Sequence, residues 1–94
     1  MRFVWDAAKN RANRRDHGVS FESAQLVFDD PLHLSVLEGY EHGEERWRTL
    51  GLVGSVVILL VVHTYAEQNG EEVARIISAR KATRRERARY EEES

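Results

Sequence analysis

The apolar run from Val56 to Val62, VVILLVV, constrains the fold of this chain more than any other segment. It is far shorter than the roughly 20 residues that a membrane-spanning helix needs. Its β-branched residues favour a strand, and apolar side chains at both odd and even positions would bury both faces of that strand. The segment 56–65 is therefore predicted to be the central strand of a sheet.

Turn and alternation signals predict the strands around this run. Asn69-Gly70 is typical of a two-residue hairpin turn, which would join the central strand to an antiparallel strand over 73–80. Further strands are predicted where β-branched, aromatic or alternating residues recur, over 2–5, 33–37 and 46–52. The polar stretch 38–44, which contains two glycines, is predicted to be a loop.

Capping residues predict three helices. Asp6 and Ser20 are suitable N-caps for two short helices, the first of which would end at Gly18. After the last strand, Thr83 and Glu86 have the spacing of a capping box. This order predicts an α+β fold, a small antiparallel β-sheet with two N-terminal helices and one C-terminal helix, in a single domain spanning 1–94.

Composition narrows the class of protein. The chain has no cysteine, so neither a disulfide framework nor a thiolate metal site is possible. No apolar segment of the signal-peptide type is present near Met1, so a cytoplasmic protein with no membrane partner is expected. Beneath a net charge of −2, residues 21–72 carry two positive and ten negative side chains, whereas residues 73–90 carry seven and one. Unless these charges are ordinary solvated faces, the segregation predicts a local anion site and a second, cationic partner.

The segment 75–90, RIISARKATRRERARY, gathers cations just before a helix start. It is predicted to be a strand that runs through Arg80 and Lys81 directly into the helix capped by Thr83. The unpaired N–H groups of a helix start favour anions. This junction is therefore predicted to bind phosphate.

The hairpin turn also predicts which side chains share a face. A regular register about residues 69–70 pairs positions whose numbers sum to a constant, such as His63 with Ile76 and Thr64 with Arg75. Ser78 and Arg80 would then share the face of His63, and Arg75 would lie on the other face. A slip of one residue would exchange the two sets.

Three residues near this hairpin are candidates for catalysis. His63 ends the apolar run and is interpreted as a proton carrier near neutral pH, or else as a strand-end histidine bonded to the backbone. Arg75 and Arg80 would bind a phosphodiester and hold the negative charge that develops in its transition state. Together they predict chemistry on a phosphate group.

Other polar residues are candidates for substrate contacts. Ser78, Lys81 and Arg84 would bind phosphate beside the strand–helix junction, and Arg46 would do so if its strand pairs beside the central one. Glu45 is a possible general base, or the partner of an edge salt bridge with Arg46. Ser78 is also explained by ordinary polar packing.

No metal or other cofactor is predicted. His33 and His42, with Glu38 and Glu41, match no recognised spacing of metal ligands. Phosphate-binding glycine loops, dinucleotide fingerprints and catalytic serine motifs do not occur in the sequence.

Segments spread over nearly the whole chain are informative in combination: FVWDAAKNRANRRDHGVSFESA, FDDP, GEERWRTLG, VVHT and RIISARKATRRERARYE. Together they resemble the BrnT toxins of bacterial toxin–antitoxin pairs. The resemblance implies a RelE-like fold and a metal-independent ribonuclease that cleaves messenger RNA. It also implies a BrnA-like antitoxin with a ribbon-helix-helix DNA-binding part, so that DNA would be bound only through the antitoxin. Carried over to this sequence, the implied site residues are His63, Arg75, Ser78 and Arg80, with Glu45, Arg46 and Lys81 less central.

The sequence thus predicts an endoribonuclease toxin. The alternatives are a non-catalytic module that binds RNA or protein through the same basic C-terminal face, and a structural subunit of a repressor complex. RNA cleavage in excess chelator distinguishes the enzyme from both.

Overall fold

Residues 1–93, which the computed structural model describes, form an α+β fold around one mixed sheet. The strands are β1 (Arg2–Val4), β2 (Leu34–Glu41), β3 (Glu44–Val53), β4 (Val57–Gln68) and β5 (Glu71–Lys81). The helices are α1 (Ala7–His17), α2 (Phe21–Ala24), which continues as a 3-10 turn (Gln25–Asp29), and α3 (Arg84–Glu93). The strand order is β1-β5-β4-β3-β2, with β1 parallel to β5 and the other neighbours antiparallel. The predicted fold class and helix placement are confirmed.

The side chains of β4 explain its central position. On one face of the sheet, which we call the helix-covered face, Leu59 and Val61 pack in the core with residues of α2 and the 3-10 turn. On the opposite face, Ile58 and Leu60 pack with Tyr90 of α3. Burying one such aliphatic side chain is worth about 1.5–3 kcal/mol, so a strand that is apolar on both faces is most stable between two layers.

The predicted helix caps are confirmed. Asp6 and Ser20 each accept a hydrogen bond from the backbone N–H three residues further on. Gly18 follows α1 with a φ of +72°, in the left-handed region that glycine adopts without strain. Thr83 and Glu86 form a reciprocal capping box, in which each side chain accepts from the other residue's backbone N–H, at 3.2 and 2.8 Å.

Residues 38–44 are not the predicted loop. β2 continues to Glu41 and β3 begins at Glu44, so His42-Gly43 alone forms the turn, with φ values of +51° and +80°. β2 is an edge strand, whose charged side chains stay in contact with water. The polar side chains of this segment therefore did not prevent its backbone from pairing between β2 and β3.

A β-bulge in β5 interrupts its pairing with β4. His63 pairs with Ile76, as predicted, but Val62 pairs with Ser78 where a regular register would place Ile77. Ile77 is therefore an extra residue on β5, and the alternation of side chains reverses from Ser78 onward.

This reversal corrects the predicted grouping of functional residues. In a regular strand Arg75 and Arg80, five positions apart, would lie on opposite faces. The bulge instead places both of them, with Ser78, on the face opposite His63. The prediction that Ser78 and Arg80 share the face of His63 is wrong. The regular pairing counted from the hairpin turn holds only as far as the bulge.

A second β-bulge lies in β2. Gly39 pairs with Arg46, where an unbroken register would place Glu38. The φ of +148° at Gly39 is a conformation that favours glycine. Because of the extra residue, Glu38 and Glu41 lie on the same face as Arg46 even though they are three positions apart.

Asn13 attaches α1 to the edge of β5 beyond the short strand β1. Its side-chain amide donates to the carbonyl oxygen of Ala79 (2.8 Å) and accepts from the N–H of Ala79 (3.1 Å). It also donates to the carbonyl oxygen of Val19 (2.7 Å). The buried amide thus replaces a strand neighbour for β5 and supports the segment that carries the last arginine of the sheet.

We expect Asn13→Ala to lower the free energy of unfolding by about 2–4 kcal/mol, because it leaves buried backbone groups of Ala79 without partners. Urea denaturation measures this change. Arg11→Ala, which removes an exposed side chain of the same helix, is the control. Equal stability of the two variants would contradict the role of Asn13.

Candidate active site

Four arginines of β3 and β5 project from the face opposite the helix-covered one. We call this surface the arginine face and define it by the side chains of Arg46, Arg48, Arg75 and Arg80. α3 covers the end of this face formed by Leu50 and Leu60, and the end nearer the β2–β3 turn is left for other contacts. The cations are therefore gathered on the side of the sheet that α2 and the 3-10 turn do not occupy.

A cleft of about 380 Å³ lies at the open end of the arginine face. Arg75 and Ile77 of β5 line it, together with Asp6 and Lys9 from the start of α1 and, from the β2–β3 hairpin, Glu41 and His42. Pockets of roughly 300–1,000 Å³ accept small ligands. The cleft is therefore large enough for part of a nucleotide, and a guanidinium, an ammonium and an imidazole line it.

Carboxylates of the β2–β3 hairpin are paired with the arginines of β3 and β5. Arg75 Nη2 lies 2.7 Å from Glu44 Oε1, across β4. Arg46 lies 3.0 Å from Glu41 and 3.5 Å from Glu38. Every one of these groups remains partly exposed, so the pairs are in contact with water.

Arg80 is held by the capping box of α3. Its two terminal nitrogens donate to the two carboxylate oxygens of Glu86, at 2.8 and 3.1 Å. The hydrogen bond from Arg80 lowers the pKa of Glu86 to about 2, and the same bond raises the pKa of Arg80. The junction predicted to bind phosphate therefore already contains an anion, the carboxylate of Glu86.

Asp30 fixes the other end of α3. Tyr90 donates a hydrogen bond to the Asp30 carboxylate, which also accepts from the backbone N–H groups of Leu52 and Leu32. Burial alone would raise the pKa of Asp30, but these hydrogen bonds outweigh it, and the pKa is lowered. Asp30 thus remains ionised and ties the C-terminal helix to β3.

His63 lies on the helix-covered face with no exposed surface. Its Nε2 is 2.7 Å from Thr49 Oγ1, and Thr49 in turn bonds to Ser35 Oγ at 2.7 Å. The ring packs edge-on against Phe28 and Tyr65, with centroid distances of 4.9 and 4.8 Å. Burial lowers the pKa of His63 to about 4, so the ring is neutral near pH 7 and is a polar member of the core.

The other predicted residues are distributed over both faces. Ser78 and Arg46 lie on the arginine face. Lys81 pairs with Leu59 at the exposed end of β5, and Arg84 is the exposed first residue of α3.

Glu45 lies on the helix-covered face and accepts a hydrogen bond from Trp47 Nε1 at 3.4 Å. The alternation of β3 therefore places Glu45 and its neighbour Arg46 on opposite faces. Arg46 forms ion pairs with Glu41 and Glu38 instead of the salt bridge with Glu45.

Sequence reasoning did not assign several residues to this site, among them Lys9, His42, Glu44 and Arg48. Glu44 and Arg48 are each two positions from Arg46, so the alternation of β3 would have placed all three on one face. Lys9 and His42 had no comparable signal, because they reach the cleft from segments far apart in the chain.

Within residues 1–93, no group of three or more His, Cys, Asp or Glu side chains is placed to hold a metal ion. None of the helices described there is both long and apolar enough to cross a membrane.

Comparison with known proteins identifies the family. Residues 5–86 match the model of the ribonuclease toxin BrnT of type II toxin–antitoxin systems. The chain belongs to the BrnT family. The prediction of an endoribonuclease toxin is thereby confirmed at the level of the family, and membership implies an RNA substrate and an antitoxin partner. No curated protein matches the chain.

The fold is similar to a solved BrnT structure. The 1.1 Å crystal structure of the Brucella abortus ribonuclease toxin BrnT superposes with a TM-score of 0.60 at 20% sequence identity. The match covers 89% of this chain and 99% of that one. At this identity the similarity establishes the shared fold.

The buried state of His63 predicts a pH dependence of stability. Its pKa is about 4 in the folded chain, against about 6.5 when unfolded, so the unfolded chain binds the proton first as pH falls. Stability is therefore lost between about pH 6.5 and 4, with a loss of about 2 kcal/mol between about pH 7.5 and 5. Urea denaturation across this range, compared with His63→Gln, measures the effect. An equal slope in both proteins would contradict it.

Proposed function

We propose that the toxin cleaves messenger RNA without a metal ion and that the scissile phosphodiester binds in the cleft beside Arg75. The observation that carries this proposal is the position of Arg75 on the wall of the cleft that Lys9 and His42 also line. Guanidinium groups bind phosphate oxygens through paired N–H donors. Arg75 and Lys9 would supply the positive charge that a metal ion would otherwise provide, in a cleft that the carboxylates of Asp6 and Glu41 also line.

In the proposed reaction, the ribose 2′-oxygen attacks the adjacent phosphorus. The bond from phosphorus to the 5′-oxygen breaks, which leaves a 2′,3′-cyclic phosphate and a free 5′-hydroxyl. Negative charge increases on the non-bridging oxygens during the attack, and Arg75 is placed to stabilise it. Arg46 and Ser78 lie on the same face and would bind neighbouring phosphates, as would Arg80 where RNA displaces its partner Glu86.

The attack also requires a proton to leave the 2′-hydroxyl and another to reach the leaving oxygen. The sequence assigned this transfer to His63, whose ring is enclosed on the other face of the sheet and neutral near pH 7. His42 lines the cleft with Arg75, and an imidazole is the side chain that enzymes most often use for proton transfer. We therefore assign proton transfer to His42 and a structural role to His63.

Residues outside the cleft would extend the contact with RNA. Lys81 and Arg84 are exposed where β5 meets α3, and each would attract the backbone of the bound strand as a point charge. Glu45, on the helix-covered face, has no place in this scheme as a general base.

The antitoxin is proposed to be BrnA-like, with a ribbon-helix-helix part that binds DNA for the complex. The charge of residues 21–72, two positive and ten negative side chains, supports a cationic contact surface on this partner. A toxin that cleaves messenger RNA would act in the cytoplasm.

We expect Arg75→Ala to lower the rate of RNA cleavage by about 100-fold or more, because the charge opposite the developing oxyanion is lost. The measurement is cleavage of a messenger RNA in excess EDTA. Arg2→Ala is the matched control, since Arg2 also forms an exposed ion pair, with Glu71, away from the cleft. Full activity of Arg75→Ala, or loss of wild-type activity in EDTA, would contradict the proposal.

We expect His42→Asn to lower kcat by about 100-fold while thermal stability is unchanged. Asparagine tolerates the positive φ of this turn position, so the hairpin is retained. His63→Gln should instead lower the melting temperature. If kcat falls only in His63→Gln, the assignment of proton transfer is reversed.

A further inference from the structure

We propose that the hairpin carboxylates Glu38, Glu41 and Glu44 occupy the phosphate-binding arginines in the free toxin, so that RNA binds only by displacing them. The carboxylates would then select for substrates whose phosphates engage several arginines at once. This inference rests on the proposed function, because it assigns a competitor to the same cleft.

The pairing is built into the backbone. The bulge in β2 places Glu38 and Glu41 on one face, although residues three apart in a regular strand point to opposite faces. Glu38 then lies between two arginines, 3.5 Å from Arg46 Nε and 3.3 Å from Arg48 Nε. Bulges beside active sites re-aim side chains in this way.

The bulges of β2 and β5 both place charged side chains on the arginine face. The extra residue in β5 brings Arg80 to the face of Arg75, and the extra residue in β2 brings Glu41 to the face of Arg46. Both irregularities therefore assemble one mixed-charge surface. Two regular strands of the same sequence would have divided these charges between the faces.

The pairs are weak enough to exchange. The side chains of Arg46 and Glu38 are 33% and 32% exposed, and those of Arg75 and Glu44 are 46% and 26% exposed. Ion pairs in contact with water contribute little and are screened by salt. A single phosphate gains little by displacing one carboxylate, whereas a polynucleotide that engages several arginines gains in proportion to their number.

Glu44 is distinguished from the other two by its position. It bonds to Arg75, the arginine that lines the cleft, whereas Glu38 contacts Arg46 and Arg48 along the sheet. Glu38 is therefore the residue whose removal releases arginines without altering the partner of Arg75.

The experiment measures binding of a short 2′-O-methyl RNA, which lacks the attacking hydroxyl and is not cleaved. We expect Glu38→Gln to bind this RNA about three- to tenfold more tightly than wild type, with a further increase in the double variant with Glu41→Gln. Glu71→Gln is the matched control, because it makes the same change of net charge beside Arg2, outside the cleft. Its affinity should change less than about twofold.

The outcomes separate this inference from the proposed function. If Arg75→Ala weakens binding but Glu38→Gln binds no more tightly than Glu71→Gln, the inference fails and the cleft stands. If Arg75→Ala binds as tightly as wild type, the cleft itself is wrong and the inference falls with it. Circular dichroism of each variant confirms that the sheet is retained, and Glu38→Asp, which keeps the charge, should restore wild-type affinity.

Discussion

The bulge at Ile77 is the constraint on which the candidate site depends. One additional residue in β5 reverses the direction of every side chain that follows it, and so brings Arg80 to the face of Arg75. The same reversal keeps Ala79 on the helix-covered face, where its backbone bonds to Asn13. A single irregularity thus serves both the core and the charged surface.

The arginines brought together in this way would repel one another. Carboxylates placed beside them offset this repulsion. Glu86 serves two purposes, because it completes the cap of α3 and neutralises Arg80. At the other end of α3, Tyr90 and Asp30 hold the helix against β3. The helix is therefore docked by polar contacts at both ends, which leaves its remaining surface highly charged.

Histidines illustrate how burial separates structural from chemical roles. His63 has the sequence context of a catalytic residue, yet it is enclosed by aromatic rings and bonded to Thr49. His42 follows a polar segment and has no strong sequence signal, yet it lines the cleft with Arg75. Proton transfer requires access to the substrate, and access is a property of the assembled sheet.

The sequence by itself determined the order of the elements, the central position of β4 and the caps at Asp6, Ser20 and Thr83, because these depend on hydrophobic alternation and on contacts between residues a few positions apart. It also placed Arg46 and Arg75 among the functional residues. The tertiary structure alone decided that Ser78 and Arg80 share the face of Arg75, since a bulge depends on the packing of both partner strands and leaves no periodic signal. For the same reason the cleft, whose walls come from α1, β5 and the β2–β3 hairpin, exists only once these distant segments are packed together.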